Sequence, residues 1–146
     1  MSKSQSYPAN VSYANASLGR SFRLSCEAEH DDKVLELLRF QDFDPQPLPF
    51  WGRAYEMPKE PIELGSSLAA DFGLIYVQDK SSMLPPLLLD PTPGSLVLDM
   101  CASPGGKTAI LAQLTGISGM VLALEPSRDR LANMRRNLLR QNVFNC

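Results

Sequence analysis

LDMCASPGGKT, Leu98 to Thr108, is the stretch that decides how this 146-residue chain is read. Its first residues close a short apolar run, Ser95 to Met100, introduced by the turn-forming pair Pro93-Gly94. A tight loop of small residues follows, and Lys107 to Leu114 then reads as a helix that closes at Gly116. A second apolar run, Met120 to Leu124, lies between Gly119 and Glu125-Pro126. Ser127 is a good N-cap for a further helix, on which Leu131, Met134 and Leu138 fall on one side. Continuous apolar strands of this kind, buried on both faces, belong to parallel sheets. The order strand, loop, helix, strand, helix predicts the opening of a doubly wound α/β sheet.

A strand that runs through a glycine loop into a helix exposes backbone N–H groups at the positive end of the helix dipole. Gly105 and Gly106 carry no Cβ, so both are expected to let a ligand approach the backbone closely. Glu125 follows Asp99 by 26 residues and stands at the tip of the second strand, where an acid accepts hydrogen bonds from ribose hydroxyls. Strand, loop and acid together point to an adenosine-bearing cofactor. The rival is a phosphate-binding loop, because Gly106-Lys107-Thr108 matches the end of G-x-x-x-x-G-K-[ST]. That motif requires glycine at position 101, which is Cys101 here, and it gives no reason for Asp99.

Upstream, residues 1–20 read as a Ser/Asn/Ala-rich, poorly ordered lead-in. Residues 21–72 read as a small module and connector. Val34, Leu35, Leu37, Leu38 and Phe40 form an apolar helical stripe from Asp31 onward, and Pro45, Pro47 and Pro49 stop it. The segment from there to about Glu63 reads as an extended, irregular connector carrying Phe50, Trp51 and Tyr55. Those aromatics are expected to pack on the neighbouring domain, with stacking on nucleic-acid bases as the alternative. Leu68 to Phe72 reads as a short helix, LIYVQ after Gly73 as β-rich, and 85–93 as a proline-rich span. Residues 73–146 then hold the first strands and helices of the α/β domain.

Composition sets the outer limits. The chain is 44% apolar and 21% charged, the profile of a globular protein. The longest apolar stretch, Met83 to Leu89, is broken by Pro85-Pro86 and falls far short of a membrane span. The first twelve residues hold no apolar signal region, which predicts a cytoplasmic location. Cys26, Cys101 and Cys146 are too scattered for a disulfide framework or a metal site. The net charge is −2 but uneven: residues 1–125 carry −6 and residues 126–146 carry +4, from five arginines and one aspartate. The arginine-rich helix reads as a solvated outer face, with contact to an RNA backbone as the alternative. His30, beside acids at a helix start, reads as a surface residue.

The motifs resemble one family, the Nop/Sun S-adenosylmethionine-dependent RNA (cytosine-5) methyltransferases. LDMCASPGGKT looks like its cofactor loop, GLIYVQDKSSMLPPLLL at 73–89 like its lead-in, and LEPSRDRLANMRRN at 124–137 like its second strand and following helix. The resemblance covers about residues 62–146, with three motifs in order. It implies a Rossmann-like methyltransferase fold and transfer of a methyl group to cytosine carbon 5 in ribosomal or transfer RNA. Cys101, Ala102, Ser103, Pro104, Gly105, Gly106 and Lys107 would wrap the cofactor, mostly through backbone groups. Glu125 would hold the ribose hydroxyls, Arg130 would support the loop, and Asp79, Ser81 and Ser82 would line the floor of the site.

The family also uses two cysteines, in Pro-Cys and Thr-Cys contexts well downstream of the cofactor loop. Cys26 follows Ser25, Cys101 follows Met100 and Cys146 follows Asn145, so none matches. The expectation is that the chain is the N-terminal portion of a methyltransferase, inactive alone, with unpaired sheet edges that favour self-association. A non-catalytic S-adenosylmethionine-binding or interaction module is the alternative, and a nucleotide triphosphatase stands behind both.

Overall fold

The computed structural model describes residues 19–146. The sequence-predicted lead-in lies outside these residues up to position 18, and Arg20 already opens the first strand. Two sheets are present among the described residues. In the first, β1 (Arg20–Leu24) pairs antiparallel with β3 (Ala54–Met57) on one side and β4 (Ile75–Val77) on the other, while β2 (Gln46–Pro47) extends the sheet beyond β3. The segment expected to be an irregular connector therefore supplies two strands. Its prolines mask this: Pro47 sits in β2 at the sheet's edge, where a residue with no N–H is tolerated. The division expected at residue 73 falls inside this sheet, because β4 completes it.

Side chains of β1 alternate between two buried faces. Phe22 and Leu24 face helix α1 (Asp31–Phe40) and helix α2 (Leu68–Asp71), in a core with Val34, Leu35, Leu38 and Ala69. Phe22 also stacks on Tyr55, with ring centroids 5.5 Å apart. Phe40, placed on the stripe by its spacing, is exposed. On the opposite face Ala54 packs with Met83 and Ile110, and Trp51 closes over this cluster. Trp51 thus packs against α3 (Lys80–Leu89) and α4 (Gly106–Thr115) rather than offering a free stacking surface.

Helix α3 runs through Pro85 and Pro86, which the sequence reading placed in a proline-rich span. Asp79 caps it, its carboxylate accepting from the Ser81 N–H at 2.8 Å. A proline at 86 cannot donate to the carbonyl of Ser82, and neither can Pro85. The Gln78 side chain does so instead, at 3.1 Å.

The second sheet is the parallel pair β5 (Leu96–Asp99) and β6 (Met120–Ala123), joined through α4, with α5 (Arg128–Arg140) following. Val97 and Val121 are turned toward Leu111 and Ala112 of α4. Leu96, Leu98, Met120 and Leu122 are exposed on the other side. Burial on both faces, expected from the continuous apolar runs, is therefore not found: one face is covered by α4 and the other is open among the described residues. Asn145 folds back on β6, its carbonyl accepting from the Val121 N–H at 2.9 Å. No helix among the described residues is long and apolar enough to cross a membrane.

Candidate functional site

The loop between β5 and α4 is braced by its own acid. One Asp99 carboxylate oxygen accepts from the Cys101 N–H at 3.1 Å, and the other from the Thr108 hydroxyl at 2.7 Å. Thr108 is fully buried, and its oxygen also lies 3.3 Å from the Ala102 carbonyl. This answers the sequence-level question of why a charged residue ends the strand: Asp99 holds the loop closed across the first turn of α4. It also removes the nucleotide-triphosphatase reading at its motif, since a phosphate-binding loop needs that hydroxyl for a magnesium ion, and here it is sealed inside.

The two glycines do different things. Gly105 has φ +102°, a conformation L-residues rarely adopt, and a Cβ there would point to Met134 and Leu138 of α5, 3.3–3.4 Å away. It allows the turn and the close approach of α5, so the face where its Cβ would stand is taken up by packing. Gly106 is the glycine that lets α4 approach the lead-in segment. A Cβ on it would stand 3.0 Å from the Tyr76 ring and 3.1 Å from the Gln78 amide.

Beside this contact lies a cavity of about 240 Å³. Tyr76 to Asp79 and Ser82 form one wall; Ala102 to Pro104, Gly106 and Lys107 form the other. The lead-in motif and the loop expected to hold the cofactor are thus brought face to face. Tyr76 and Val77 separate this cavity from a smaller one of about 190 Å³ against Asn137, Arg140 and Gln141.

The remaining predicted residues take up supporting positions. Ser81 lies outside the lining and donates both its N–H and its hydroxyl to Asp79, which holds that carboxyl below its ordinary value. Cys101 is exposed on the loop and does not line the cavity. Glu125 also lies outside the lining. Its side chain is only 3% exposed, accepting from the Ser127 N–H at 2.9 Å and pairing with Arg130 at 3.2 Å. Arg130 in turn accepts at its carbonyl from the Ser103 hydroxyl at 3.2 Å, which ties the start of α5 to the loop.

Sequence reading missed Tyr76 and Gln78, both inside the resembling lead-in, and Arg23, which lies outside every motif. Arg23 is fully buried, and burial pulls its guanidinium down to about 9, so it stays charged at neutral pH. Neither of the other two thiols is poised as a thiolate. Burial raises Cys26 to about 11, aided by its hydrogen bond to Asp31, and burial also raises Cys146.

Residues 86–146 match the family model of the 16S rRNA methyltransferases RsmB/F. Over these residues the chain is similar to that family. Relatives extend the likeness upstream. The chain is 35% identical over 113 residues to a tRNA (cytosine(49)-C(5))-methyltransferase of Pyrococcus abyssi, which covers 77% of this chain and 36% of the relative. It is 30% identical over 141 residues to the ribosomal RNA small subunit methyltransferase F of Shewanella piezotolerans, covering 93% and 30%. A crystal structure of a methyltransferase homolog protein from Pyrococcus horikoshii superposes with a TM-score of 0.81 at 38% identity, over 88% of this chain and 42% of that one. The chain spans about a third of the length of the curated relatives it matches. The fold is Rossmann-like, and RsmB/F-type enzymes draw their methyl group from S-adenosylmethionine.

Proposed function

We propose that this chain carries the S-adenosylmethionine site of an RNA (cytosine-5) methyltransferase, and that the cavity between Tyr76–Ser82 and Ala102–Lys107 is that site. The observation that carries the reading is the convergence of two resembling motifs on one cavity, with Gly106 bare of a side chain where they meet. The residues fit such a cofactor. Ala102 to Pro104, Gly106 and Lys107 line the cavity at the start of α4. There the N–H groups of Ser103, Gly106 and Lys107, unlike those of Ala102 and Gly105, have no partner among the described residues and are free to donate. Asp79 and Lys107 supply one charge of each sign at the wall.

In this reading the protein's own work is to hold and orient. Asp99 and Thr108 fix the loop, and Ser81 keeps Asp79 ionised. Glu125, outside the cavity and nearly buried under the Ser127 N–H and Arg130, holds the start of α5 beside the loop. Bound cofactor supplies the methyl group that cytosine carbon 5 receives. None of Cys26, Cys101 or Cys146 serves as the nucleophile: two thiols are held protonated and the third stands off the cavity wall. The substrate is cytosine in a structured RNA, ribosomal or transfer, and the reaction takes place in the cytoplasm. The open apolar face of β5 and β6 leads copies of this chain to associate, which light scattering reads.

Calorimetry with S-adenosylhomocysteine against magnesium ATP tests the site. Heat with the former and none with the latter is expected. Heat with ATP alone overturns the assignment.

A further inference from the structure

Arg23 sits on β1, facing away from the core that its neighbours Phe22 and Leu24 occupy. A buried guanidinium ordinarily has a carboxylate beside it. Among the described residues none lies within ion-pair distance of Arg23. Its N–H groups go to neutral oxygens instead. Nε donates to the Gln78 side chain at 3.2 Å, one terminal nitrogen to Ser25 at 3.4 Å, and the other to both the Gly106 carbonyl at 3.4 Å and the Gln141 side chain. The guanidinium also lies over the Tyr76 ring, 5.3 Å from its centroid.

All of these contacts but the one to Ser25 lead to the cavity wall, Tyr76 being wall itself. Gly106 is wall. Gln78 is wall, and its amide nitrogen donates onward to Ser82, also wall. Gln141 donates to the Asn137 carbonyl at 3.0 Å, and the Asn137 side chain donates to the Pro104 carbonyl at 2.9 Å, wall again. Three segments far apart in sequence are joined through one side chain.

We propose that Arg23 is the positioning residue of the cofactor site, holding the lead-in wall and the loop wall at their working separation from the first sheet. This rests on the cofactor reading above. Five donors in a planar fork suit the task, and a lysine's single nitrogen cannot span Gln78, Gly106 and Gln141 together.

The test uses Arg23→Lys, with Val34→Ala in the α1 core as a control that loosens the fold at a distance. Hydrogen exchange of the Gly105 to Thr108 amides is measured in the ligand-free chain, S-adenosylhomocysteine affinity by calorimetry, and melting temperature alongside. Arg23→Lys is expected to speed exchange at these amides and to weaken binding about tenfold. Val34→Ala is expected to lower the melting temperature while leaving both nearly unchanged. If the two variants affect exchange and affinity alike, Arg23 is merely structural and the proposal falls. If the parent chain gives no heat with S-adenosylhomocysteine, the cofactor reading fails, yet the exchange arm still decides on Arg23. If Arg23→Lys does not fold, Asn137→Ala decides: faster exchange at Gly105 and Gly106 supports the relay, and unchanged exchange overturns it.

Discussion

Replacing each loop glycine with alanine separates fold from function at adjacent positions. Gly105→Ala places an L-residue at φ +102°, outside the left-handed well, at a cost of about 1–3 kcal/mol. The new methyl meets Met134 and Leu138 at 3.3–3.4 Å, flexible side chains that can shift by the few tenths of an ångström required. Lower entropy of the unfolded chain returns about 0.4–1 kcal/mol. The net loss is roughly 0–2 kcal/mol, or up to about 8 °C in melting temperature for a chain of this size.

Gly106→Ala has no such strain, because its backbone is ordinary helix. Its methyl stands 3.0 Å from Tyr76 and 3.1 Å from Gln78, and Gln78 is pinned between Arg23 and Ser82. Overpacking of about 1–3 kcal/mol, offset by the same entropic term, leaves a cost of roughly 0–2 kcal/mol. The stability changes overlap, so affinity decides. Scanning fluorimetry gives melting temperatures, and calorimetry gives the dissociation constant for S-adenosylhomocysteine. Gly106→Ala is expected to weaken binding about tenfold or more by crowding the wall, whereas Gly105→Ala binds within about threefold of the parent. Loss of affinity in Gly105→Ala with retention in Gly106→Ala would refute the assignment of the wall.

Thr108→Val leaves Asp99 without the buried hydroxyl at 2.7 Å and is expected to cost about 1–3 kcal/mol in a thermal melt, with Thr108→Ser recovering most of it. Cys26, raised from 9.0 to about 11 by burial and by Asp31, holds its proton more tightly folded than unfolded. Its stabilising contribution is therefore complete below pH 9 and fades as pH climbs through about 11. At pH 9 only about 1% is thiolate against about half of an ordinary thiol, so alkylation followed by mass spectrometry is expected to run about fifty-fold slower in the folded chain. Asp31→Asn speeds it, and equal rates in folded and unfolded chains would contradict the burial of that thiol.

Much of the α/β half was legible because its signals are local. The helix over α4 follows from small residues after an apolar run and closure at Gly116, and α5 is announced by Ser127, whose hydroxyl accepts from the Arg130 N–H at 3.5 Å. The first sheet was not legible, since β1 finds its partners more than 30 residues away on each side. Nothing in the Gln46–Pro47 or Ala54–Met57 segments alone marks that pairing. Helix α3 was hidden by Pro85 and Pro86, whose lost hydrogen bond is restored by a side chain from outside the helix. At the site, sequence located the loop but not the direction of each Cα–Cβ bond. That direction separates Gly105, packed against α5, from Gly106, packed against the lead-in wall.

The same distinction explains why an uncompensated charge is tolerated in β1. Successive strand residues face opposite sides, so a one-residue slip of β1 would turn Arg23 into the apolar core of α1 and expose Phe22 and Leu24 to the polar cluster around Gln78 and Gln141. Burying a guanidinium among Val34, Leu38 and Ile75 with no acceptor would cost several kcal/mol. In the observed register four oxygens and an aromatic face receive it. Arg23 is thus weak evidence for stability but strong evidence for register. Because the register of β1 sets where β4 pairs, and β4 carries Tyr76 and leads directly into Gln78, the side chain that excludes the slipped sheet also sets the position of the cavity wall. A sheet that looks like a separate leading module is, by this route, part of the site.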